Sequence, residues 1–403
     1  PMSESLFSSL RKRWPIIVLL LVQLLNGMVV AAQAYFFPIY VEESLGLTAI
    51  AVSSFVSVGR IAGLAGSLLG GSLTDTLGRK WTLVLGLGCF TVGSFAFVVR
   101  LPWLVGLLWF VNGVALSLEA LGSQGYLIGI AGGAGLGVAS ALYNWGFTLG
   151  GAVGSPVAGR LLDTRGYEAF APVLIGLAGG TALFATVLMP RLKQAVKGEA
   201  RASWRAMLTG YVQIVRQPRV LRLGLLRFLP TFYYGMALVL IPLLINAETQ
   251  SKTSVAIFAT AAQVLATLTQ LVAGRFADHR GPRAPTLVAV GGVLTAAVGL
   301  AGFAGHLWGL YLFGILGIAA AWALSTLMPV LVSSVVPTKE QGRVLGALNL
   351  LWNISMILSA VVGGALVEIK VGLPFALAAL VNVGTVIIAL AFFGRRTSHD
   401  PGL

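Results

Sequence analysis

The chain is a succession of long apolar runs separated by short polar breaks, with no stretch of regular alternation that would mark a half-buried strand. A helix that crosses a bilayer needs about 20 mainly apolar residues. Reading runs and breaks on that basis places spans at 15–38, 48–74, 81–100, 103–130, 136–160, 168–190, 221–246, 253–276, 285–304, 306–335, 343–367 and 372–393. Several exceed what the bilayer requires, so tilt or protrusion is expected. The longest polar stretch divides the chain into residues 1–190, a linker at 191–220 and residues 221–403. Trp204, Met207, Leu208 and Tyr211 recur along the linker at helical spacing among basic residues, the pattern of a helix lying on a membrane surface.

Composition sharpens this reading. Of the 403 residues 57% are hydrophobic and 10% charged, whereas a soluble domain carries about a quarter charged residues. A water-facing surface cannot be assembled from so few charges, so the solvent for most of the chain is lipid. The single cysteine, Cys89, excludes an internal disulfide and a cysteine-based metal site.

The formal charge of +14 takes its meaning from where the 27 basic residues fall. With the N-terminus in the cytoplasm, most lie on the cytoplasmic side: Arg11–Arg13, Arg79 and Lys80, the run from Arg191 to Arg222, Arg275 to Arg283, Lys339 and Arg343, Arg395 and Arg396. Arg100, Arg160, Arg165, Lys252 and Lys370 face the other way. This asymmetry is that of a multi-pass inner-membrane protein with both termini cytoplasmic. The charge then reports topology and anionic membrane lipid, and gives no support to nucleic-acid binding. Arg11–Arg13, an apolar run and Ala32-Gln33-Ala34 imitate a cleaved signal, but removing that span would spoil the asymmetry.

An internal repeat supports two halves. Gly71-Ser72-Leu73-Thr74-Asp75-Thr76-Leu77-Gly78-Arg79-Lys80 follows the second span, and Gly274-Arg275-Phe276-Ala277-Asp278-His279-Arg280-Gly281-Pro282-Arg283 follows the eighth. Glycine, aspartate, glycine and a terminal basic residue correspond. Ala141-Leu142-Tyr143-Asn144 and Gly346-Ala347-Leu348-Asn349 correspond likewise in the fifth and eleventh spans. The expected fold is an all-α membrane protein of twelve transmembrane helices in two pseudo-symmetric six-helix bundles, a design common among secondary transporters.

The Gly71–Lys80 loop resembles the signature of the major facilitator superfamily, Gly-x-Leu-x-Asp-Arg-x-Gly-Arg-Arg/Lys, departing from it at Thr76. The resemblance implies a conformational latch made of Gly71, Asp75, Gly78, Arg79 and Lys80, repeated as Gly274, Asp278, Gly281 and Arg283. Gly151, Pro156 and Gly159 resemble the fifth-helix pattern of bacterial drug:proton antiporters, although Ser155 and Arg160 replace glycines and the spacing also serves helix packing. The arginine that many such antiporters carry in the fourth helix is missing from Trp109-Phe110-Val111-Asn112-Gly113.

Ionisable groups inside a membrane are costly and usually functional. Glu119 is the carboxylate placed well inside a span, and Arg60 lies near mid-depth of the second; the two are expected to pair and serve proton coupling. Arg227 enters the seventh span near one end, where it either snorkels to the headgroups or faces the cavity. The resemblance implies that the first, fourth, seventh and tenth helices line that cavity. Substrate-binding candidates are Gln23, Asn26, Gln33, Asn112, Arg227, Tyr233, Tyr234 and Trp322, with Gln263, Asn349 and Asn353 on helices that can contribute; Ser325 and Thr326 are further polar positions.

No reactive constellation, metal-ligand motif or phosphate-binding loop is present, so neither an enzyme nor an ATP-driven pump is indicated, and no cofactor or metal is expected. The reading is a monomeric secondary transporter that moves a small organic or amphiphilic solute by alternating access, with proton-coupled export first. Uptake of a small anionic metabolite, or a non-transporting sensor on the same fold, are the alternatives.

Overall fold

The computed structural model describes residues 2–192 and 217–394. The linker expected at 191–220 falls largely outside the described residues, and of Gly71 and Asp75 only the helical backbone is described. The described residues form helices and no strand, as a bilayer demands of a chain with no barrel to close its hydrogen bonds.

The helices are α1 (Met2–Leu45), α2 (Ala49–Leu77), α3 (Arg79–Ser94), α4 (Pro102–Leu188), α5 (Pro218–Thr249), α6 (Lys252–Arg280), α7 (Arg283–Phe303), α8 (Leu307–Ser333), α9 (Thr338–Ile369) and α10 (Leu373–Gly394). At 1.5 Å per residue the 87 residues of α4 would be about 130 Å long if straight, roughly four times the hydrocarbon core. The stretch therefore reverses. The Ser123 and Tyr143 hydroxyls lie 2.7 Å apart, where a straight helix would separate them by about 30 Å. A second reversal falls at Gly166, whose φ of +66° breaks the helical path. Among the described residues 11 helices are long and apolar enough to cross a membrane, and one of them, Leu142–Leu188, is long enough to cross twice. The twelve-helix arrangement expected from the sequence is the one observed.

Two compact units emerge. Among the described residues one comprises the chain up to Leu47, from Phe55 to the end of α4, and Gln250–Thr260. The other comprises Thr48–Ser54, α5 to Thr249, and the chain from Ala261 onward. In the first, Leu83, Leu87 and Phe90 of α3 pack with Leu19 and Val22 of α1 and with Ala115 and Tyr126 of α4. In the second, Leu223 and Leu226 of α5 pack with Leu324, Leu327 and Leu331 of α8 and Phe393 of α10. Each unit buries its own apolar stripe, as a helix bundle must.

The repeat is visible in the backbone. Gly78 and Gly281, the corresponding glycines of the two motifs, have φ of +85° and +80°. Both turns thus use a conformation that a side chain would oppose. On the first unit Lys80 donates from Nζ to the Thr186 carbonyl at 2.7 Å and sits over the Trp81 ring.

Carboxylates also cap two helix starts. Asp163, beyond the fifth crossing, accepts from the Lys252 and Thr253 backbone N–H groups at 2.7 and 2.8 Å and from the Ser251 hydroxyl at 2.9 Å. Within the second unit, Glu368 accepts from the Ile50 backbone N–H at 2.9 Å. The two acceptors occupy corresponding places in the repeat, and each supplies an orphan donor of a first turn with a partner.

Candidate functional site

Two clusters of polar side chains are built within the helices, one in each unit. In the first, Glu119 is 4% exposed. Its Oε1 accepts a hydrogen bond of 2.7 Å from Nε2 of Gln23, which is 0% exposed. Ser123, one turn further along α4, offers its hydroxyl to the same carboxyl and meets the Tyr143 hydroxyl beyond the reversal. Helix spacing supplies the Glu119–Ser123 neighbours. The chain reversal supplies Tyr143.

Close packing fixes this cluster. A Cβ on Gly86 would lie 2.5 Å from the Glu119 backbone nitrogen, so only glycine lets α3 approach there. The expected Glu119–Arg60 pair is absent: the partners of Glu119 are Gln23 and Ser123. The reason is rotational. α2 lies along α4 through Gly59 and Trp109, Gly63 and Gly113, and Ser117, whose hydroxyl donates to the Gly63 carbonyl. Residue 119 stands about 200° around the helix from residue 117, and so it faces α1 and α3 instead. Arg60 is not on its side.

The second cluster centres on Arg227. Its Nη1 donates to the Ser325 hydroxyl of α8 at 2.8 Å, and its guanidinium lies 5.6 Å from the centre of the Trp352 ring of α9. Arg227 lies about 14 Å along α5 from Pro218, within the apolar span Pro218–Thr249 and toward one end of it. Those partners lie on neighbouring helices, so its guanidinium packs within the bundle of this unit. Thr231 and Tyr234 follow it on the same face at helical spacing. The Tyr234 and Trp322 rings form a T-shaped pair, with centroids 6.1 Å apart at 84°. Among the described residues no carboxylate pairs with Arg227.

The other sequence candidates divide by environment. Tyr233 is fully buried, and its hydroxyl donates to the Phe313 carbonyl at 3.2 Å. It stands about 100° around α5 from Tyr234 and fixes α5 to α8. Gln33 donates to the Ser94 hydroxyl at 3.0 Å and joins α1 to α3. Asn112 is 8% exposed and lies against Gly93 of α3. Asn26 is 1% exposed, one turn from Gln23. Asn353 donates to the Asn349 carbonyl at 2.9 Å, and both flank Trp352 on α9. Gln263 lies on α6, where its carbonyl accepts from Thr267. Asp278 and Gly274 stand at the end of α6 before the Gly281 turn, with Arg283 opening α7.

Tyr143 and Trp352 were not singled out by sequence. Ser123 could have been, from its spacing to Glu119. Tyr143 could not, because only the reversal brings it close. In the fifth-crossing glycine pattern, Gly159 lies against Ala256 of α6 within the first unit, and Ser155 is fully buried.

A family model described as Major Facilitator Superfamily matches residues 19–360 and again residues 223–403. The chain belongs to the Major Facilitator Superfamily. Crystal structures of nucleoside transporter NupG, one of them a point variant, share this superfamily fold with TM-scores of 0.77 and 0.74. They are 16% and 17% identical, covering 94% and 95% of this chain and 99% of each of those chains. No curated protein matches the chain by sequence. As a superfamily member it is a multi-pass membrane transporter that carries a small-molecule solute, rather than an enzyme.

Proposed function

We propose that this superfamily member is a proton-coupled secondary transporter of the inner membrane, with both termini cytoplasmic, in which Glu119 carries the proton. The observation that supports this is a buried carboxyl whose partners are all neutral. Such a group can be held in two forms. As an anion it accepts from the Gln23 amide and the Ser123 hydroxyl. As an acid it donates, and Gln23 can turn its amide to accept, because Oε1 of Gln23 is buried without a hydrogen-bond partner. The site then takes up or releases one proton without a new cation entering the bundle.

The direction we propose is export of a small organic or amphiphilic solute, which rests on the resemblance at Gly151, Pro156 and Gly159. The protein is taken to act as a monomer, with anionic lipid along its basic face. The Gly78–Lys80 and Gly274–Arg283 turns act as the latch between access states.

The test uses purified protein in liposomes with a trapped pH dye, comparing wild type with Glu119→Gln. Solute-dependent proton movement in wild type, lost in the variant while solute exchange continues, is the expected result. Proton movement that survives Glu119→Gln would remove Glu119 from the coupling role.

A further inference from the structure

An arginine in a membrane span ordinarily finds a carboxylate, because an uncompensated charge there is costly. Arg227 does not. Its guanidinium offers five N–H donors in a planar fork, and Ser325 takes one of its nitrogens while Trp352 covers a face. Arg227 is only partly buried, which leaves room at its remaining donors.

The surroundings describe what completes the site. The face of α5 that bears Arg227 is turned to α8 and α9, where Ser325 and Trp352 meet it. Tyr234 stands on the same face two turns on, its ring perpendicular to that of Trp322, which remains 40% exposed. Trp322 and Ser325 are themselves one turn apart on α8. A fixed positive fork and the open surface of an indole therefore sit side by side on one unit. The fork suits a planar or tetrahedral anion held by two bonds. The indole beside it suits a flat ring.

We propose that Arg227, Ser325, Trp322 and Tyr234 form the recognition site for an organic anion that carries an aromatic ring, its carboxylate or phosphate on Arg227 and its ring against Trp322. This rests on the transport reading but not on Glu119. The anion supplies the missing counter-charge for Arg227, so the empty site carries an unneutralised charge that the solute removes on binding. A neutral analogue leaves the charge in place and binds less well.

The experiment is equilibrium binding of radiolabelled benzoate, phenyl phosphate and the neutral isostere benzamide to the full-length protein in detergent, without a membrane or a proton gradient. We expect at least one of the two anions to bind about tenfold or more tightly than benzamide, as charge-assisted pairing demands. Preference for one anion identifies the carboxylate or the phosphate as the natural group. Cyclohexanecarboxylate is expected to bind more weakly than benzoate if benzoate is the preferred anion. Arg227→Gln is expected to abolish the difference between anion and amide, and Arg227→Lys to retain part of it because the charge survives without the fork. Equal binding of benzamide and both anions, or no binding of any of them, would overturn the proposal, and so would anion preference that persists in a folded Arg227→Gln. Because wild type alone decides the first comparison, an unfolded variant does not rescue the idea. Anion binding with Glu119-independent proton flux would leave this site standing while the coupling assignment fell. The converse result, Glu119-dependent proton flux with neutral solutes only, would do the reverse.

Discussion

Gln23 and Glu119, on different helices and both sealed from solvent, share a hydrogen bond of 2.7 Å. Bonds between polar side chains of neighbouring membrane helices average about 0.6 kcal/mol, but one to a carboxylate reaches about 1.5–3 kcal/mol. A double-mutant cycle separates these values. Gln23→Leu and Glu119→Leu, alone and together, are expected to show a coupling energy of at least about 1 kcal/mol in reversible unfolding in detergent micelles. Additive effects would mean that the pair contributes nothing to the fold.

The Gly78 turn combines φ of +85° with ψ of 159°, a region that residues other than glycine hardly enter. Gly78→Ala is expected to destabilise the protein by about 1–3 kcal/mol. Gly281→Ala, at φ +80°, acts in the same direction. Gly274→Ala serves as the control, because a Cβ there meets nothing within 4 Å. Thermal denaturation of the three variants should separate the first two from the third.

Asp163 accepts three hydrogen bonds at the start of α6. Replacing it by alanine leaves two first-turn N–H groups without that acceptor, a loss of about 1 kcal/mol by analogy with other caps. Hydrogen exchange at the amides of Lys252 and Thr253 is expected to accelerate in Asp163→Ala. Unchanged protection would show that water replaces the carboxylate at no cost.

Adjacent tyrosines on α5 should behave differently. Tyr233→Phe removes one hydrogen bond to the Phe313 carbonyl and is expected to lower stability by about 1 kcal/mol without altering solute binding. Tyr234→Ala, which removes the partner of Trp322, is expected to weaken binding of ring-bearing solutes several-fold at similar stability. Equal effects on binding would place both residues in the same role and contradict the division drawn from their burial.

The span pattern, the two-fold repeat and the glycine turns were all legible along the chain, because each is local. A run of apolar residues is long enough for a bilayer or it is not, and a glycine needed for positive φ sits where the turn sits. The importance of Glu119 and Arg227 was legible for the same reason: a charge in an apolar run is visible without knowing its neighbours. Their partners were not. Glu119 was expected to meet Arg60, yet it meets Gln23 and Ser123 because a rotation of two residues turns a helical side chain to the opposite face.

What the sequence determined by itself is therefore the solvent, the number of crossings and the presence of three costly charges within spans, Arg60, Glu119 and Arg227, all fixed by composition and length against the thickness of a membrane. Only the tertiary structure decided what Glu119 and Arg227 meet. The helical rotation and the reversal of α4 surround Glu119 with neutral groups, and two other helices, α8 and α9, bring Ser325 and Trp352 against Arg227. Pairing between helices depends on relative rotation and depth, and neither is written in the order of residues along one chain segment.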